Sequence, residues 1–295
     1  MTQLVELQRV LPELEAAGYC LYAISYDTQE QLRNFAVQYG IAYPLLSDLG
    51  SVVIRRFGIL NTLIHPDERG HRWYGIPFPG TYVTDEIGVV ARKFFNQHHA
   101  MRESGETILD QLLGRVLDGG ASPRVALNDD NIDVSIFLRE PDLKLEVAST
   151  VYCRIALPDG VHIYAEPVPD GFVATRVEIQ PTRGLRVGAA VYPASEPYDM
   201  AALGMRFNVF TATVDIAIPV TVTSELLKLG HPRDIDSIRI DVNINYQARN
   251  DTMCSPPRML RTGFEAPLGD LILPEGIKVY VERLRNVSQK PMSRE

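Results

Sequence analysis

Three cysteines, Cys20, Cys153 and Cys254, are the nucleophiles from which redox chemistry in this chain would start. Their wide spacing is not a disulfide framework, and it is not the spacing of zinc ligands. Cys254 stands apart from the other two. It lies in the run YQARNDTMCSPP, residues 246–257, after the turn signal Asn250-Asp251-Thr252 and before Ser255-Pro256-Pro257. Such a loop is stiff and exposed. A thiol reacts as its thiolate, and a cation such as Arg249 favours that form if the two side chains meet. The alternative is a loop kept for structure, with no redox role. Cys20 in YCLYAISYD and Cys153 in TVYCRIAL both lie in strand-like apolar runs. Both are expected to be inert core residues, since free cysteine is among the most buried residue types.

Other reactive side chains carry weaker patterns. HPDERGH at 65–71 holds two histidines and two acids, but in a Pro/Gly loop without rigid ligand spacing. His98 and His99 follow a strand end, where adjacent side chains point apart. Asp129, Asn131, Asp133 and Glu140 approach a calcium loop, yet Val134 stands where that loop needs glycine. Asp129-Asp130 reads as a solvated turn. No Gly-rich phosphate loop precedes a helix. Trp73 and Tyr74 either wall a groove or pack on a sheet. No cofactor or metal is expected.

The composition is that of a globular protein: 45% hydrophobic and 22% charged residues over 295 positions, enough for two domains. Net charge is −8, and residues 1–120 and 121–295 each carry −4. Neither half is basic, so a broad nucleic-acid footprint is excluded. No apolar run reaches the length of a membrane span. Glu6, Arg9, Glu13 and Glu15 interrupt any signal-peptide core. The default expectation is therefore a cytoplasmic location, with a periplasmic one as the alternative should the N-terminus be truncated.

Two patterns of elements hold these residues. Residues 1–118 alternate helix and strand. Leu4, Leu7, Leu11 and Leu14 recur at helical spacing and Gly18 closes that helix. A buried strand is predicted over 19–27, a helix from Thr28 to Gly40, and a short helix within 48–59. A hairpin turns at 85–88, and a helix capped by Ser104 follows. This predicts an α/β layer fold. After a linker at 119–124, residues 125–295 read as short alternating strands, with a brief helical stretch only near 200–203. Ile238, Ile240, Val242, Ile244 and Tyr246 show the period of two most clearly. That predicts an antiparallel β-sandwich.

Residues 2–117, with QLVELQRVLPELEAAGYCLYAISYD and later IPFPGTYVTDEIGVV, resemble the peroxiredoxin (alkyl hydroperoxide reductase/thiol-specific antioxidant) branch of the thioredoxin superfamily. The resemblance implies that Pro79 is a cis-proline, that Thr81 opens the next strand, and that this turn packs on a reactive cysteine. In the family, a central strand and a loop carrying the peroxidatic cysteine precede the QLVELQ helix. Here Met1 stands where that loop should end. The expectation is a domain lacking its N-terminal catalytic segment, with a cysteine or selenocysteine encoded upstream. The neighbours of that strand, 19–27 and 81–85, would then each lose a row of hydrogen bonds.

Residues 125–285, with GVHIYAEPVPDGFVATRVEI and YQARNDTMCSPPRML, resemble the immunoglobulin-like N-terminal domain of the thiol:disulfide interchange protein. There a Tyr-Gln-Ala/Gly-Cys motif and a Cys-x-Pro-Pro motif exchange a disulfide with clients. Tyr246, Gln247, Cys254, Pro256 and Pro257 match, while Arg249 holds the place of the first cysteine. Together the resemblances imply thiol-dependent peroxide or disulfide reduction, with a thioredoxin-like electron donor or a thiol client as partner. The site residues are Cys254 as nucleophile, shaped by Tyr246 and Arg249, with Pro79 and Thr81 in the first domain. The rival expectation is a non-catalytic binding or scaffold module derived from redox domains.

Overall fold

The computed structural model describes residues 2–65, 74–95, 102–116, 120, 122–200, 204–223, 225–226, 235–250 and 253–269. It divides into two compact units, with the chain passing from the first to the second between Arg115 and Val116.

Unit 1 opens with α1 (Thr2–Arg9) and α2 (Leu11–Ala16). The leucine repeat does not build one continuous helix. Pro12 has no N–H for a preceding turn, so the helix breaks at Val10 and restarts. Leu7, Leu11 and Leu14 still reach the interior. A three-residue strand β1 (Ala23–Ser25) then runs parallel to β2 (Leu45–Ser47). Between them, α3 (Gln29–Tyr39) starts with a reciprocal capping box. The Gln31 N–H donates to Thr28 Oγ1 at 3.3 Å and the Thr28 N–H donates to Gln31 Oε1 at 2.9 Å. Gly40 closes the helix at φ 63°, a left-handed geometry that glycine adopts without steric cost.

Two expectations need correction here. The strand predicted over 19–27 is ordered as a strand only at 23–25, and Cys20 is exposed rather than buried. The cause is that, among the described residues, β1 pairs with β2 alone. A two-stranded ribbon covers its members poorly, and Tyr22 and Ile24 are exposed as well. Pro79 does not follow a cis bond. The cis peptide among the described residues is Glu166–Pro167, in unit 2. The chain before Pro79 is extended and already paired: Leu60 bridges Pro77, Asn61 N–H donates to Ile76 O, and Phe78 N–H donates to Ile59 O. That path needs no tight turn, so the trans isomer, preferred for X–Pro bonds, is kept.

Thr81 lies in β3 (Gly80–Thr84), which forms an antiparallel hairpin with β4 (Val90–Phe95). Asp85 shapes the turn by accepting from the N–H groups of Ile87 and Val89. A two-residue β5 (Arg102–Glu103) and α5 (Gly105–Leu113) complete the unit. Ser104 caps α5 through the Thr107 N–H. The β1–β2 and β3–β4 ribbons are separate sheets. Even so, residues of both pack into one core, around Leu7, Leu11, Tyr43, Phe94 and Ile108.

A buried acid anchors α4 (Val52–Arg56). Asp48 Oδ1 and Oδ2 accept from the N–H groups of Val53 and Ile54 at 3.0 and 2.8 Å. Burial works against the Asp48 charge. The N–H groups of Ile54, Val53 and Val52, with Arg55 nearby, outweigh it and hold the carboxyl below its ordinary value. A depressed pKa contributes stability above the unfolded-state value, and this is lost as pH falls through the folded-state value. Asp48→Asn is therefore expected to lower unit 1 stability at neutral pH, with the gap to wild type closing in acid. Denaturant midpoints measured across the acid range check this.

Unit 2 is built of strands, and every named strand pair in it is antiparallel. In chain order these are β6 (Arg124–Asp129), β7 (Ile132–Leu138), β8 (Val147–Ala156), β9 (His162–Ala165), β10 (Arg176–Ile179), β11 (Leu185–Val187) and β12 (Glu196–Met200). Then follow β13 (Met205–Thr211), β14 (Thr213–Val222), β15 (Ser237–Tyr246), β16 (Ala248–Arg249) and β17 (Arg258–Pro267). One sheet runs β11–β14–β8–β7–β6, a second β10–β15–β17, and a third β12–β13–β9–β16. The inward residues of the first two interleave in one core, with Val134, Ile136, Val151, Ile216 and Ile218 from one side and Ile240, Val242, Ile244 and Phe264 from the other. The alternation at 238–246 forecast this, because side chains of a strand point to opposite faces in turn. Met200 closes a strand instead of opening a helix, pairing with Met205. Residues 201–203, the run IKVYVERL, Trp73, His98 and His99 lie outside the described residues.

Candidate functional site

The site is raised on the longest ladder of the second sheet. β15 and β17 pair over ten positions, from Ser237 with Pro267 to Tyr246 with Arg258. Past Tyr246 the chain leaves this ladder and β16 joins β9, with Arg249 opposite His162. It then doubles back. Asn250 N–H donates to Met253 O, Met253 N–H to Asn250 Oδ1, and Ser255 N–H to Ala248 O. The result is a small hairpin in which Arg249 and Cys254 face each other as an antiparallel bridge pair. The structure thus brings together two of the residues expected at the site.

Cys254 is exposed, but its sulfur is not without partners. Gln247 Nε2 donates to Sγ at 3.3 Å, and the Tyr164 hydroxyl lies 3.9 Å away. The thiol itself is within 3.8 Å of Ser255 O. Gln247 is buried and its orientation is fixed at both ends. Its Oε1 accepts from Val173 N–H at 3.0 Å, so its amino group must face Cys254 and the Ser255 carbonyl, 3.1 Å away. One side chain thereby ties the turn before β10 to the sulfur.

Tyr164 stands in an aromatic wall. Its ring meets Phe172 and Phe207 at 5.2 Å each, and His162 at 6.0 Å, while His162 also packs on Tyr198 at 4.3 Å. Burial pushes the Tyr164 hydroxyl up to about 12, and Cys254 beside it adds to this. The Arg249 guanidinium next to the hydroxyl pulls in the opposite direction. Arg249 is half-buried, and its Nε is shielded from solvent without a hydrogen-bond partner among the described residues.

The remaining expected residues lie elsewhere. Tyr246 points into the main core and donates its hydroxyl to Asp129 Oδ2 at 2.5 Å, which, with burial, raises its pKa. It anchors the hairpin from the side opposite Gln247. Pro79 and Thr81 belong to unit 1. Cys153 is buried in β8, and burial, with Asp215 adding to it, pushes its thiol up to about 12. Asp129 is no solvated turn residue, since it accepts from Tyr246 and pairs with Arg258. Among the described residues no group of three His, Cys, Asp or Glu side chains could hold a metal, and no helix is long and apolar enough to cross a membrane.

Sequence reading missed Tyr164 and undervalued Gln247. The alternation of VHIYA places His162 and Tyr164 on one face, a visible signal, but which loop that face meets depends on long-range pairing.

Comparison with known proteins bears on both units. Residues 1–93 match the AhpC/TSA family, and residues 140–265 match the family described as thiol:disulfide interchange protein DsbD, N-terminal. Chloroplastic peroxiredoxin Q of Sedum lineare is 30% identical over 96 residues, which are 32% of this chain and 47% of that protein. The chain thus spans about half the length of this curated relative. Among solved structures, the reduced N-terminal domain of Neisseria meningitidis DsbD is 16% identical with a TM-score of 0.28, covering 50% of this chain and 85% of that one. The N-terminal periplasmic domain of ScsB from Proteus mirabilis is 12% identical with a TM-score of 0.34, covering 56% and 59%. By its family matches, the chain joins an AhpC/TSA-family domain of the thioredoxin-like kind to a DsbD N-terminal domain of the immunoglobulin-like kind, two thiol redox families in one polypeptide.

Proposed function

We propose that Cys254 is the working thiol of unit 2, and that it exchanges disulfides as a single cysteine within a protein of peroxide- or disulfide-reducing function. One observation carries this reading. Cys254 is exposed on the returning arm of a small hairpin, opposite Arg249, with its sulfur held by Gln247, whereas Cys153 is sealed in the core. Exposure and hydrogen-bond donors are what a nucleophilic sulfur needs. The Cys254 thiolate attacks one sulfur of a client disulfide, the client S–S bond breaks, and the other client sulfur leaves as a thiolate. A mixed disulfide remains. Arg249 cannot resolve it, so a thiol from the client or from a thioredoxin-like donor must.

Peroxide reduction belongs to unit 1 in this reading. Cys20, the one cysteine of the described residues there, stands on the connection between α2 and β1, not at a helix N-terminus. A peroxidatic role needs the thiolate character that a helix N-terminus or a cation confers. The nucleophile for peroxide is accordingly assigned to no described residue.

Arg249 in place of a first cysteine favours a second reading, in which the hairpin persists as a binding surface without exchange. Alkylation of the full chain separates the two. In a Cys20→Ser background at neutral pH, Cys254 is expected to react with iodoacetamide and with oxidised glutathione faster than in the urea-unfolded chain. Equal or slower reaction in the folded chain supports the binding module and ends the exchange reading.

A further inference from the structure

We infer that Arg249, Tyr164 and Cys254 form a donor chain in which Arg249 is a positioning residue and the Tyr164 hydroxyl stabilises the Cys254 sulfur as it leaves a mixed disulfide. The inference rests on the exchange reading above and deepens it.

The order of donors follows from chemistry. A guanidinium offers only N–H groups and accepts nothing. Arg249 pairs with His162, two residues before Tyr164 on the same face of β9, and bridges Cys254, and a phenol oxygen beside such a cation turns its lone pairs toward it. Its one proton is then directed away, and the sulfur 3.9 Å off is the acceptor in reach. Gln247 contributes a second donor at 3.3 Å, and its orientation is locked by Val173. Two N–H or O–H groups therefore converge on Sγ from fixed positions. The Tyr164 ring cannot swing away, being fully buried between Phe172 and Phe207. The backbone holds Arg249 on the same spot, through its pairing with His162 and its bridge to Cys254.

Such donors act most on the step in which charge appears on the sulfur. When an external thiolate attacks the client sulfur of the mixed disulfide, the bond to Cys254 breaks and its electron pair stays on Cys254 Sγ. The attacking thiol and the client share the new disulfide, so oxidation of the thiol balances reduction of Cys254. Fixed donors aimed at the departing sulfur lower that barrier, as preorganised donors do wherever negative charge develops. On the reverse step, in which Cys254 attacks and gives up its charge, they raise the thiolate fraction but lower its nucleophilicity, and these two effects largely offset each other. With no second cysteine in the loop, departure is the step on which turnover depends.

The test uses the full chain in a Cys20→Ser background. Cys254 is loaded as its glutathione mixed disulfide, and its release by dithiothreitol is followed by mass under single-turnover conditions. Attack of the free thiol on oxidised glutathione is measured in parallel. Tyr164→Phe is expected to slow release by roughly five- to tenfold, the size of one ordinary hydrogen bond, with attack changed by less than about twofold. Arg249→Leu should follow Tyr164→Phe, and Arg249→Lys, which still donates, should recover much of the rate. Unchanged release in Tyr164→Phe overturns the inference, as does equal slowing of release and attack, the mark of a merely structural effect. If wild-type Cys254 attacks no faster than in the unfolded chain, it is the exchange reading that fails.

Discussion

Arg249→Cys is expected to close a disulfide onto Cys254 and turn a one-thiol site into a two-thiol site. Arg249 and Cys254 are already an antiparallel bridge pair, and the hairpin between them is pinned by the Asn250–Met253 and Ser255–Ala248 hydrogen bonds. Opposed residues in such a pair have Cα atoms about 4.5–5.5 Å apart, inside the range that a disulfide spans without moving the backbone. The loop from 249 to 254 is short, so the gain from restricting the unfolded chain is modest, about 2 kcal/mol. The functional change is larger. A mixed disulfide at Cys254 is then resolved from within the same loop, and the client is released without an external thiol. Oxidation with diamide followed by intact mass should show loss of two hydrogens and no remaining free thiol at either position. The melting temperature of unit 2 should rise on oxidation and fall back on reduction. Two free thiols after oxidation would show that the hairpin holds the side chains apart, and the geometry argued for the site would be wrong.

What could be read from the chain beforehand divides along physical lines. The start of each of α3 and α5, and the end of α3, were legible, because Thr28, Gly40 and Ser104 act within a single turn, whereas Gly114, which ends α5, was not singled out. The β3–β4 hairpin was legible for the same reason, its turn being made by Asp85 and Gly88. Strand length was not. Whether 19–27 extends as a strand depends on partners distant in sequence, and among the described residues β1 finds only β2. Nor was the break between β13 and β14, where Ala212 takes a left-handed turn at φ 54°. Of the site, Cys254, Arg249 and Gln247 sit close together in sequence and were visible as a motif. Tyr164 lies 90 residues away, and only the fold brings its hydroxyl to the sulfur. Tyr246 shows the opposite failure: within the motif, it turns to the other face of its strand and serves the core.

The hairpin can present its sulfur only because β15 and β17 hold it rigidly, and the weakest tolerance in that ladder is at Gly263. It lies opposite Asp241, midway along the ten paired positions. A Cβ there would stand 2.5 Å from Ile240 O and 2.5 Å from Asp241 Oδ1. The carboxylate can swing aside, but the Ile240 carbonyl is backbone and cannot. One strand must therefore move off the other. Ile240 is fully buried and Phe264 follows Gly263 directly, so that movement opens the main core as well as the ladder. Gly263→Ala is expected to cost roughly 2–4 kcal/mol, the range of overpacking joined to lost core contact. Gly160→Ala is the control. It is a turn glycine at φ 75° with nothing within 4 Å of the added carbon, so it costs only the left-handed strain, about 1 kcal/mol. Urea midpoints of the two variants should differ in that order. The alkylation rate of Cys254 should approach its unfolded-chain value in Gly263→Ala and stay at the wild-type value in Gly160→Ala. A Gly263→Ala chain with unchanged stability and unchanged Cys254 reactivity would mean that the sulfur's environment does not depend on the ladder, and that the loop makes the site by itself.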